Sequence, residues 1–108
     1  MLNYFVFLLC FPSIRVPAKE VVVVFQDQAN QPVVNLVVRA SFPHGILTLT
    51  TNEKGEVSFK TRSPLVLFDL AWPDTNDFYS LPETWRLEED RNLLTIKIQR
   101  EKIPGSLK

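Results

Sequence analysis

Val21-Val22-Val23-Val24-Phe25, then Gln26-Asp27-Gln28-Ala29-Asn30-Gln31-Pro32, then Val34-Asn35-Leu36-Val37-Val38-Arg39-Ala40-Ser41-Phe42 is the stretch on which the fold turns. The first block is an uninterrupted apolar run and the second a polar loop. In the third, every even position is apolar, while Asn35, Arg39 and Ser41 occupy odd ones. Alternation of period two puts one face of a strand in a core and the other in water. Pro43-His44-Gly45 ends that strand, because proline removes a ladder donor and glycine permits positive φ. Residues 46–51 form a third strand-like segment, with Leu47 and Leu49 pointing one way and Thr48 and Thr50 the other. Asn52-Glu53-Lys54-Gly55 reads as a hairpin loop closed by a left-handed glycine, after which Val57 and Phe59 face a core. This is the first half of a small antiparallel β-sandwich.

Beyond it, residues 65–72 are apolar on both faces except at Asp69, the pattern of a central or covered strand. Pro73-Asp74-Thr75-Asn76-Asp77 is a turn cluster, and Pro82 splits two short β-leaning pieces, Phe78-Tyr79-Ser80-Leu81 and Thr84-Trp85-Arg86-Leu87. Glu88-Glu89-Asp90-Arg91-Asn92 is a charged turn before the last clear strand, which carries Leu94, Ile96 and Ile98 inward. No window sustains a helical period. About seven short strands predict an all-β fold, a Greek-key sandwich over residues 19–100 followed by a frayed polar tail over residues 101–108.

The chain has 108 residues, enough for one domain of ordinary size. Twelve basic and twelve acidic side chains cancel. A nucleic-acid binder carries a basic excess to displace phosphate counterions, so nucleic acid is not an expected partner. Cys10 is the single cysteine and His44 the single histidine. That leaves no internal disulfide, no zinc set and no Cys/His nucleophile, and no cofactor is implied.

Residues 1–18 differ in character from the rest. Tyr4-Phe5-Val6-Phe7-Leu8-Leu9-Cys10-Phe11 is an apolar run of signal h-region length, far short of the roughly 20 residues that span a bilayer as a helix. Val16-Pro17-Ala18 offers small residues at the spacing a signal peptidase reads, although no Lys or Arg precedes the run. Leu9 stands where a lipoprotein box needs a small residue before Cys10. A leader predicts a secreted, periplasmic or cell-surface protein that touches a membrane only through this segment if it stays uncleaved. The alternative is an aromatic-rich strand of the domain itself.

The order of these segments resembles the carboxypeptidase regulatory-like domain family, whose fold is similar to transthyretin. That family shows an apolar strand, then Asp-x-x-Gly-x-Pro-Val-x-Gly-Ala-x-Val, then Thr-x-x-x-Gly-x-Phe or a near variant. The matching residues are Asp27, Pro32, Val33 and Val38, then Thr51, Gly55, Val57 and Phe59. Asn30 and Asn35 stand where the family tends to place glycine, and asparagine is the non-glycine residue that best tolerates the left-handed region. Leu36 replaces a small residue and needs extra room in the core. The motif is a folding signature. The resemblance implies a carbohydrate-binding-like sandwich used as an accessory module on exported proteins, sometimes assisting carbohydrate or protein binding. Hydroxyisourate hydrolases of similar fold would need several histidines and a C-terminal Tyr-Arg-Gly-Ser, whereas this chain ends Pro104-Gly105-Ser106-Leu107-Lys108.

Trp72, Tyr79 and Trp85 are the candidate ligand-binding residues, since flat amphipathic rings suit a sugar, but small sandwiches also need such side chains in the core. Trp85, beside Arg86, is the best candidate for an exposed ring. Asp69, alone in an apolar run, needs a partner: Arg62, Arg86, a backbone donor, or an isopeptide bond of the pilin type. Phe25 occupies the place where that bond would require lysine. Asp74, Asn76 and Asp77 lack the downstream glycine and glutamate of a calcium loop and read as a solvated turn. The expected function is a non-enzymatic structural or protein-interaction module. Its expected partner is another protein, or a second copy, at an open sheet edge; the alternative is a glycan.

Overall fold

The computed structural model describes residues 18–87 and 91–105. The leader reading of residues 1–18 therefore lies almost wholly outside the described residues, as does the end of the tail. Seven strands follow one another: β1 (Lys19–Gln26), β2 (Val37–Phe42), β3 (Gly45–Thr50), β4 (Glu56–Thr61), β5 (Leu65–Ala71), β6 (Tyr79–Arg86) and β7 (Leu93–Lys97). A short 3-10 turn, Arg100–Lys102, comes last.

They form two sheets, β4-β1-β7 and β3-β2-β5-β6, packed as a small β-sandwich. The chain makes hairpins at β2–β3 and β5–β6 and passes from one sheet to the other at every other connection. Four of the pairings are antiparallel, but β1 and β7 run parallel. β7 arrives from the opposite sheet and not through a tight turn, so no hairpin dictates its direction.

Alternation does what it predicts. Val21, Val23 and Phe25 of β1 face Val38 and Ala40 of β2 and Val66, Phe68 and Leu70 of β5 across the core, with Val57, Phe59 and Ile96 beside them. The rings of Phe25 and Phe68 meet edge to face at 5.6 Å, joining the two sheets at mid-core. Leu36 finds the room it needs and is fully buried.

β5 is central by pairing, lying between β2 and β6, yet its outer face is not covered: Leu65 and Leu67 remain 39% and 44% exposed. Pro82 does not split the sixth strand. β6 lies at the edge of its sheet, and its register against β5 shifts between Leu67 and Asp69, so the missing donor interrupts no regular ladder. The tail is not frayed over residues 100–105. Ile103 is buried in the core, and the Trp72 amide donates to the Pro104 carbonyl at 2.9 Å. The buried side chain and this backbone bond dock the segment together.

Candidate interaction site

The turn after β1 is built from its own side chains. Asp27 accepts from the amides of Ala29 and Gln31 at 2.9 and 3.0 Å, an Asx-type cap that folds the loop back on itself. Asn30 and Asn35 have φ of 66° and 65°, the left-handed geometry expected where asparagine replaces glycine. Thr51 clips this turn to the next: its hydroxyl donates to the Val33 carbonyl at 2.7 Å and accepts from the Leu36 amide at 2.9 Å, all buried. Gly55, at φ 74°, lets the Asn52 loop press against β1, because a Cβ there would sit 2.7 Å from the Phe25 carbonyl oxygen. Asp27, Thr51 and Gly55 thus hold backbone in place, while Val33, Val38, Val57 and Phe59 fill the core.

The aromatic residues do not assemble into a surface platform. Trp72 is 1% exposed and belongs to the core, which corrects its candidacy as a ligand-binding residue. Trp85 is not the exposed ring expected beside Arg86. It sits opposite Val66 on the inward side of β6, packs half-buried against the core, and leaves its indole Nε1 buried without a hydrogen-bond partner. Tyr79, opposite Leu70, is half-buried on the same side of the strand. The two rings lie six residues apart, so plain alternation puts them on one face, and the register shift near Pro82 leaves that parity unchanged.

Asp69 pairs with neither Arg62 nor Arg86. Arg39 donates to its Oδ2 through Nε at 3.1 Å and Nη2 at 3.0 Å, directly across the β2–β5 register. The Arg39 guanidinium also lies 4.0 Å from the centre of the Phe78 ring, so one cation joins a carboxylate and an aromatic face. The outward odd positions of both strands were the available signal, but only the register brings these two together.

What remains is the outer face and edge of the four-stranded sheet. Ile46, Ser41, Leu67 and Thr84 form a cross-strand row, and Leu65 flanks it. Ile46 is 62% exposed. A shallow groove of about 270 Å³ runs along this row, lined by Ser41, Phe42, Pro43, Leu65, Leu67 and Thr84. Its lining comes from β2, the turn after it, β5 and β6, while β3 is the outer strand of the sheet.

The four described edge strands differ sharply. β4 carries Glu56 and Lys60, β7 carries Lys97, and β6 carries Pro82, Glu83 and Arg86. Charges and proline are what keep an edge from accepting another strand. β3, Gly45-Ile46-Leu47-Thr48-Leu49-Thr50, has neither, and only Leu49 in it is even half-buried.

Among the described residues, no three His, Cys, Asp or Glu side chains cluster to hold a metal ion. A comparison with models of known protein families finds no match to this chain, and one with curated proteins finds none either.

Proposed function

We propose that the protein is a non-enzymatic interaction module of an exported protein, working by presenting the open edge of β3 to a protein strand. The observation that carries this is the contrast among edges: β3 is uncharged, free of proline and solvent-exposed, with Ile46 on its outer face and exposed Leu65 and Leu67 on β5 beyond β2. Strand addition at such an edge draws affinity from main-chain hydrogen bonds and specificity from alternate side chains. Export is supported by the signal-like composition of residues 1–18, and accessory-module use by the family resemblance of residues 27–59.

The glycan alternative draws no support from the aromatic residues, since Trp72 is buried and Tyr79 and Trp85 point inward. Amide exchange with and without a synthetic extended, uncharged peptide tests the proposal. Protection gained at β3 supports it. Protection gained at β4 or β7, or nowhere, sinks it.

A further inference from the structure

The β3 edge has a geometry that selects its partner. Phe42 and Gly45 flank the two-residue turn Pro43-His44, so they form the first hydrogen-bonded pair of the β2–β3 ladder. Bonded and non-bonded pairs alternate in an antiparallel ladder. Ala40↔Leu47 and Val38↔Leu49 are therefore the bonded pairs that follow. The backbone N–H and C=O groups of Ile46, Thr48 and Thr50 consequently point away from β2 and into solvent.

The side chains of this strand nearly repeat when read backwards: Ile-Leu-Thr-Leu-Thr becomes Thr-Leu-Thr-Leu-Ile. We propose that the occupant of the edge is a second copy of the chain, with β3 pairing antiparallel to β3 about a two-fold axis at Thr48. This rests on the reading of the protein as a strand-presenting module and names its partner. In that register Thr48 meets its own symmetry mate, Ile46 meets Thr50 of the second copy, and Leu47 meets Leu49 of the second copy. Thr–Thr and aliphatic cross-strand pairs are favourable, and no like charges oppose one another. Every outward backbone group of Ile46, Thr48 and Thr50 finds a partner. The two four-stranded sheets merge into one, which removes the single described edge that has no charge or proline to protect it. Two-fold, self-complementary interfaces are the commonest form of homo-oligomer.

Sedimentation of the full chain over a dilution series, with amide exchange read in parallel, tests this. The expected result is a dimer that dissociates on dilution, with Ile46, Thr48 and Thr50 amides protected only in the dimer. Thr48→Pro removes an outward donor while sparing every bond to β2, and should weaken association about tenfold or more, the scale of a lost backbone hydrogen bond. Ile46→Lys should do the same by placing a charge on the edge while leaving the backbone intact, and it carries the test if the proline variant fails to fold. A dimer that persists in a folded Ile46→Lys variant overturns the proposal. So does a wild-type monomer. A monomer whose β3 amides become protected by the free peptide Gly-Ile-Leu-Thr-Leu-Thr keeps the strand-presenting reading while losing the second copy. A monomer that ignores the peptide loses both.

Discussion

The guanidinium of Arg100 and the carboxylate of Asp27 meet at 3.3 Å although 73 positions separate them in the chain. The contact ties the turn after β1 to the short helical turn that follows β7. The backbone bond from Gln31 holds the Asp27 carboxyl below its ordinary range, followed by the bond from Ala29 and the charge of Arg100, against some desolvation.

That depression fixes the sign of one pH dependence. The unfolded chain takes up the Asp27 proton first as pH falls, so its contribution to stability is complete above the ordinary aspartate value. It fades as pH drops through the lower folded value. Asp27→Asn keeps an acceptor for the turn but removes the titration. Thermal melts between about pH 5 and pH 2 should therefore fall less steeply for the variant than for the wild type. Identical slopes would show that the carboxylate is not held this way.

Thr51→Val preserves shape but strands the Val33 carbonyl and the Leu36 amide in the core. Each buried group left without a partner costs about 1–3 kcal/mol, so urea unfolding should show a loss of roughly 3 kcal/mol. Thr51→Ser, which keeps the hydroxyl, should lose about 1 kcal/mol. Equal losses for the two variants would mean that the hydroxyl holds nothing.

Gly55 and Gly45 should respond oppositely to the same change. An alanine Cβ at Gly55 meets the Phe25 carbonyl oxygen and the Val33 nitrogen, both backbone, at a φ of 74°. Neither atom can swing aside, and Gly55→Ala should cost about 2 kcal/mol or more. Nothing lies within 4 Å of the same atom at Gly45, so Gly45→Ala should fall within about 0.5 kcal/mol of wild type. Parallel denaturation of the two variants checks the contrast.

Ile103 offers a direct measure of how firmly the last segment is docked. It is buried beside the core that holds Trp72. Ile103→Ala should cost about 2–5 kcal/mol if the segment is as integral as its burial implies. A loss near zero in chemical denaturation would place the segment outside the cooperative unit.

Much of the fold was legible because it is local. The valines of β1, the alternation of β2 and β4, and the two asparagines at left-handed positions each follow from what a single residue or its immediate neighbours can tolerate. The candidate site was less so. That Asp69 answers to Arg39 depends on the register between β2 and β5, which no stretch of either strand specifies alone. Trp85 turns inward because it pairs with Val66, and that facing follows from the pairing of β6 with β5 and not from the charged residue beside it. Ile103 gave one apolar letter in a polar tail, too little for a periodicity. The unguarded edge of β3 was written in the sequence as Ile-Leu-Thr-Leu-Thr, but only the sheet order shows that this strand lies outermost.

The parallel pairing of β1 with β7 also sets a timetable. A ribosome delivers β1 first and β7 last among these strands, so the central strand of its sheet waits for all the others before it gains one of its two neighbours. Until then a run of four valines and a phenylalanine has only β4 to cover its backbone on one side. Long-range and parallel pairings of this kind are slow to close and leave strands open to aggregation meanwhile. Closure of this sheet therefore falls to the last of its strands to be made, and until β7 docks, β1 offers one bare side of its backbone to any competing strand.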